Sequence, residues 1–293
     1  QTLVDYGTGK TVRSVKTGPS TTTELTLKAS DGILTRATGT IKLDVFGFLQ
    51  AEGSFGIEKR TNQTITVNTG TAATGTTVSV DELLIGGAGL TGFIGMGGGT
   101  ANATGLSLTG VNLGLALYTE RVTGSATAKK WTSAQASVAS ASFTGISDLS
   151  VTVTSLTVEV NRAASDQTLV DYGTGKTVRS VKTGPSSTTE LTLKASDGIL
   201  TRATGNIKLD VFGFLQAEGS FGIEKRTNQT ITVNTGTAAT GTTVSVDELL
   251  IGGSSLTGFI GMGGGTANAT GLSLTGVNLG LALYTERVTG SAT

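Results

Sequence analysis

Side chains that carry acid–base, nucleophilic or metal chemistry are sparse in this sequence. It contains no His and no Cys. The commonest general base and commonest metal ligand are therefore missing, as are disulfides, thiolate metal sites and thiol nucleophiles. A hydrolase triad lacks its base, and no Ser-x-x-Lys stands in an apolar setting. Paired carboxylates occur only as Asp81-Glu82 and again as Asp247-Glu248. Adjacent residues of a strand point to opposite faces, so this pair makes no site by itself. The remaining aspartates of the first 166 residues, Asp5, Asp31, Asp44, Asp148 and Asp166, are scattered. Calcium-binding repeats instead carry Asp at alternate positions. Gly95-Met96-Gly97-Gly98-Gly99 suggests a phosphate loop, but it lacks the Gly-Lys-Ser/Thr ending and no helix is expected after it. Asn62-Gln63-Thr64 and Asn102-Ala103-Thr104 fit the N-glycosylation pattern at expected loop edges. The sequence thus offers no catalytic, cofactor-binding or metal-binding residue, and an enzyme is not expected.

Charge excludes further classes. Lys+Arg and Asp+Glu are both 21, so there is no basic stripe for nucleic acid and no polybasic membrane-surface patch. The most apolar stretch, 83–96, is interrupted by glycine and shorter than the ~20 residues of a membrane helix. No basic region precedes an apolar one, so no signal peptide is expected.

The elements that must position these residues belong to a repeat. Residues 1–127 recur as 167–293, an offset of 166. Only four positions differ: Thr21 becomes Ser187, Thr40 becomes Asn206, and Ala88-Gly89 becomes Ser254-Ser255. Residues 1–166 form one complete unit and 167–293 a second, incomplete copy. The first unit holds 12 basic and 12 acidic residues, so many units can adjoin without accumulating repulsion. The joint at 161–166 is short and has no Gly/Ser run, unlike a flexible spacer.

Within the unit, residues 33–57 alternate for 25 residues. Odd positions are apolar or small, and even ones carry Arg36, Lys42, Asp44 and Glu52. Period-2 alternation marks a half-buried strand. Ordinary strands run to about 10 residues, so the segment must bend, coil, or turn through loops that keep the parity. Further strands are expected at 22–28, 64–68, 76–80, 106–119, 134–143 and 149–160. Loops are expected at 17–20, 60–63, 69–75, 97–104, 124–130 and 162–167. A motif of apolar–Thr–Gly/Ser–apolar recurs at 90–93, 108–111, 143–146 and 153–156. Apolar residues step by three across it, as at a β-bulge or corner. The expectation is an all-β, elongated array of coiled or solenoid-like sheets stacked end to end, with a string of β-sandwich domains as the alternative.

Leu43-Asp44-Val45-Phe46-Gly47-Phe48, Gly53-Ser54-Phe55, the stretch 105–117 and the stretch 147–161 resemble repeats of giant bacterial surface or secreted proteins of hemagglutinin-like and adhesin-like type. That resemblance implies an extracellular, cell-surface, non-catalytic role and transfers no catalytic residue. The expected function is a structural repeat giving reach and mechanical continuity, with neighbouring copies of the repeat as partners. The alternative is an adhesin, or a lipid-groove module lined by an apolar face such as 33–57. Rows of Thr for ice binding are too isolated, at 64–66 and 152–154.

Overall fold

The structure, a computed structural model, describes residues 2–70, 74–124, 127–236 and 240–287. It is all-β. In chain order the strands are β1 (Ser14–Lys16), β2 (Thr22–Glu24), β3 (Ile33–Val45), β4 (Leu49–Asn68), β5 (Thr76–Met96), β6 (Thr104–Glu120), β7 (Lys130–Thr144) and β8 (Leu149–Arg162). The second copy supplies β9 (Leu169–Val170), β10 (Arg179–Lys182), β11 (Thr188–Leu191), β12 (Ile199–Val211), β13 (Leu215–Val233), β14 (Thr242–Met262) and β15 (Thr270–Glu286). An 11-stranded sheet, in the order β15-β14-β13-β12-β8-β7-β6-β5-β4-β3 with β9 beside β4, runs through both copies. All its pairings are antiparallel, and the copies join where β8 pairs with β12.

The alternation over 33–57 is resolved by a hairpin. Val45 pairs with Leu49, and Phe46-Gly47-Phe48 turn the chain. Phe46 and Gly47 both have positive φ, 51° and 65°, as a tight hairpin turn demands. Asp44 holds this turn by accepting from Gly47 N at 2.7 Å and Gln50 Nε2 at 2.9 Å. A three-residue connection pairs odd residues with odd ones, so the parity survives the turn. Phe46 and Phe48 sit exposed at its tip.

The parity-shift motifs lie on one line across the sheet. Registers slip between Glu52 and Ser54, between Gly87 and Gly92, and between Thr204 and Asn206 opposite Ser155. Gly53, Gly89, Gly110 and Ser155 there have φ of 149°, 59°, 62° and 51°. Each added residue swaps the facing parity. Apolar residues therefore stay on one face above and below this crease: Leu49 pairs with Ile94, Ile94 with Leu106 and Leu106 with Phe143, while Ile57 pairs with Ile85 and Ile85 with Leu115. The motif at 143–146 instead ends β7 and turns toward β8.

Several local expectations are corrected. Residues 60–63 are no loop but a bulge inside β4, where Asn62 takes φ 57° and its N–H donates to Asp81 Oδ1 at 3.0 Å. Asn readily adopts that left-handed conformation. The first glycosylation pattern therefore lies in a strand, whereas Asn102 lies in the β5–β6 turn. Strand β5 runs from Thr76 to Met96, far beyond position 80, because its glycines pair with glycines of β6: Gly86 with Gly114 and Gly95 with Gly105. Residues 25–28 are extended but unpaired in strand terms. The expected loops at 69–75 and 124–130 lie partly outside the described residues, at 71–73 and 125–126.

The half-buried strand is covered on the opposite side from the one its pattern suggests. Ile33, Ile41, Leu43, Val45, Leu49 and Ile57 are exposed, whereas Glu58 on the charged face is 1 % exposed. Chain from the other copy covers that face around Glu58, while Lys42 and Glu52 farther along it stay exposed. Residues 168–198, comprising β9, the β10–β11 hairpin and a 3-10 turn at Ala195–Asp197, lie over β4 to β8. The buried core forms between them from Ile65, Val67, Val80, Leu84, Tyr118 and Trp131 below and Val170, Tyr172, Val181, Leu191 and Leu193 above.

Candidate functional site: the junction between the two copies

The leading segment of the second copy is turned back onto the first copy's sheet immediately after β8. Ala164 N donates to Thr168 O at 2.9 Å and Gln167 N to Ala164 O at 3.0 Å. Asp166 Oδ1 accepts from Thr168 N and Thr168 Oγ1, and Lys129 Nζ lies 3.1 Å from Asp166 Oδ2. Hydrogen bonds from Thr168 and charge from Lys129 outweigh burial and hold the Asp166 carboxyl below its usual range. The chain then pairs with the end of β4, Val170 opposite Val67. Asp171 N donates to Thr66 O at 3.0 Å, and Thr66 N donates to Thr177 Oγ1 at 2.5 Å.

A row of glycines receives the hairpin. Gly56 pairs with Gly86 and Gly86 with Gly114, so the three stand side by side across β4, β5 and β6. A Cβ at Gly56 would meet Lys182 O at 2.4 Å, one at Gly86 the same oxygen at 2.3 Å, and one at Gly114 Thr189 Cγ2 at 2.8 Å. Glycine here lets another backbone approach the sheet closely. The row is a slot for the backbone of β10.

Polar groups fix the register of docking. Arg179 reaches down from β10, its Nη2 donating to Thr64 O at 3.2 Å and its Nε 3.1 Å from Glu82 Oε2. Glu82 is 2 % exposed, and neither of its oxygens has a hydrogen-bond partner in good geometry. Burial pushes its pKa up against the opposing pull of Arg179 and Arg60. Neighbouring Glu58 behaves oppositely: burial raises it, but bonds from Arg36 and Arg60 outweigh burial, and its pKa is lowered. The Tyr118 and Tyr172 hydroxyls lie 3.0 Å apart, and burial raises both pKa values. Trp131 Nε1 donates to Thr168 Oγ1 at 3.1 Å, Asn161 Nδ2 to Val170 O at 3.3 Å, and Thr192 N to Gln135 Oε1 at 2.6 Å. Buried polar groups of an interface specify one arrangement because any other leaves them unpaired.

The residues singled out in the sequence are used within the fold. Asp81 faces away from Glu82 and takes Arg121 Nη1 at 2.8 Å. Gly98 N donates to Gly47 O at 2.8 Å, so the glycine run seats one hairpin tip on the next. Among the described residues no three His, Cys, Asp or Glu converge to hold a metal ion. No helix among them is long and apolar enough to cross a membrane. No family model, curated protein or solved structure matches this chain. The junction residues Arg179, Glu82, Trp131 and the glycine row were not anticipated. The available signal was Glu82 on the face opposite Asp81, ahead of an apolar run, and glycines spaced to pair across three strands.

Proposed function

We propose that this chain is a non-catalytic structural repeat of an extracellular filament or giant cell-surface protein, giving reach and mechanical continuity. One observation carries the reading: the leading segment of the second copy completes the core of the first. A unit whose core is finished by its successor gains stability by being adjacent to another, as in repeat proteins whose neighbours share interfaces. The unbroken sheet through β8 and β12 supports load transfer by hydrogen bonds rather than by a loose linker. The self-neutral unit supports long arrays. The extracellular setting belongs to the same proposal and rests on the sequence likeness. Electron microscopy of arrays with increasing unit number tests it. Rods whose length grows in proportion to unit number are expected; globules on flexible linkers would overturn it.

A second reading is favoured by the open apolar face that carries Ile33, Ile41, Leu43, Val45, Leu49 and Ile57. A contiguous exposed apolar surface marks an interaction site, and this one suits an adhesin contact or an acyl chain. Native mass spectrometry of gently purified protein decides: bound lipid supports this reading, and protein free of acyl chains counts against it.

A further inference from the structure

Both halves of the junction occur a second time in the chain, and there, among the described residues, they are not docked on one another. The first copy's leading segment, residues 2–32, has nearly the same sequence as 168–198, Thr21 for Ser187 apart. Val4 is 61 % exposed where Val170 is 0 %, and Leu27 is 46 % exposed where Leu193 is 2 %. The second copy's platform on β13, β14 and β15 is largely open as well, with Val246 and Glu248 still buried at its centre. Tyr284 is 51 % exposed where Tyr118 is 1 %, and Val233 is 43 % exposed where Val67 is 5 %. Its glycine row is vacant: a Cβ at Gly252 meets nothing closer than Leu279 O at 3.9 Å, and one at Gly280 nothing within 4 Å.

The uncovered leading segment keeps its docked shape. Ser14 pairs with Glu24 as Ser180 pairs with Glu190. Tyr6 N donates to Leu27 O at 2.9 Å, as Tyr172 N does to Leu193 O. Gly7 N donates to Asp5 Oδ1, as Gly173 N does to Asp171 Oδ1. A preformed segment loses little conformational freedom on docking. Its Arg13, the counterpart of Arg179, has no ion-pair partner among the described residues, and Glu248 stands on the platform where Glu82 does.

We infer that the chain associates head to tail with further copies of itself, the leading segment of one seating on the β13–β15 platform of the next. The inference rests on the structural reading above and names its partner and contact. Val4 would meet Val233, Tyr6 would meet Tyr284, Arg13 would reach Glu248, and the backbone at Lys16 would lie in the Gly222–Gly252–Gly280 slot. The two surfaces differ, so association leaves one of each free and continues as a filament rather than closing as a two-fold dimer. Residues 167–293 match residues 1–127 and so include no match to β7 and β8. The contacts of Trp131, Asn161 and Gln135 are absent from this intermolecular junction, which is weaker than the intrachain one.

Sedimentation velocity over a concentration series of the 293-residue chain tests the inference. Wild type should form species that lengthen with concentration. Arg13→Glu blocks the leading segment and Gly252→Val fills the slot. Each alone should weaken association about ten-fold or more. Mixed together they should form 1:1 dimers, because each retains the end the other has lost. Appending the sequence of residues 128–166 after Thr293 should tighten association by restoring the missing strands. A wild type monomeric throughout, single variants that associate like wild type, or a mixture that stays monomeric would each overturn the inference. The structural reading survives that failure if the monomer remains a rod with Trp131 buried, since Arg13 and Gly252 lie outside the intrachain junction.

Discussion

A methyl group placed on Gly86 should loosen the junction, while the same methyl on Gly252 should not. The two glycines occupy the same place in the repeat. At Gly86 the new Cβ would stand 2.3 Å from Lys182 O, 3.0 Å from Lys182 C and 3.0 Å from Thr183 Cγ2. Ordinary contact begins near 3.4 Å, so the Lys182 carbonyl must withdraw by about 1.1 Å. It cannot do so freely, because Lys182 pairs with Thr188 and its neighbour Val181 is fully buried. Overpacking of this kind costs roughly 1–3 kcal/mol. At Gly252 the nearest atom is 3.9 Å away, and replacing Gly by Ala in a strand contributes about 0.5–1 kcal/mol. The strand gain is common to both sites, so Gly86→Ala and Gly252→Ala should separate by the overpacking cost alone, about 1–3 kcal/mol, with Gly86→Ala the less stable. The single Trp, Trp131, is buried in the junction and reports on it directly. Urea unfolding of dilute protein, followed by Trp131 emission, gives both values. Hydrogen exchange should be faster at 168–198 in Gly86→Ala alone. Equal shifts for the two variants, or unchanged exchange over 168–198, would refute the close-approach argument.

Three further outcomes follow from the charges. Arg179→Met leaves the buried Glu82 with only Arg60, 3.9 Å away, as ion partner and should cost about 2–4 kcal/mol, whereas adding Glu82→Met should recover most of it; denaturation midpoints of the single and double variants check this. Glu58→Gln should destabilise more than Glu224→Gln, because the Glu58 side chain is 1 % exposed and that of Glu224 is 15 %; equal costs in thermal melts would show that cover by the leading segment is irrelevant to this ion pair. Glu82 has a raised folded pKa, so its protonated form contributes stability that is full below the usual value of 4.5 and is lost as pH rises through the folded value. The stability of wild type relative to Glu82→Met/Arg179→Met should accordingly grow as pH falls from neutrality toward 4.5, measured by urea midpoints across that range. A relative stability that instead fell with acidification would reverse the assigned sign.

Much of the local structure was legible in the residues. Alternation over 33–57 revealed paired strands, and because the Phe46-Gly47-Phe48 turn pairs odd with odd, the pattern ran through it unbroken. The three-residue steps at 90–93, 108–111 and 153–156 marked the crease, since an inserted residue must flip the facing parity. Where glycine replaced the alternating side chain, as along 83–96, the signal failed and most of β5 was missed. Residues 60–63 have the polar make-up of a loop, and a bulge inside a strand accepts the same types, with Asn62 in the left-handed conformation.

What the sequence by itself determined is the repeat, the all-β class, the parity of the alternating strands and the absence of His and Cys. Which face is covered was decided only by the tertiary structure. Residues 2–32 and 168–198 are almost the same chain and share most of their internal hydrogen bonds, yet Val4 is exposed and Val170 is buried. No local rule can separate two copies of one sequence. The difference comes from whether a sheet of the same protein lies beneath, and that depends on the neighbour in space.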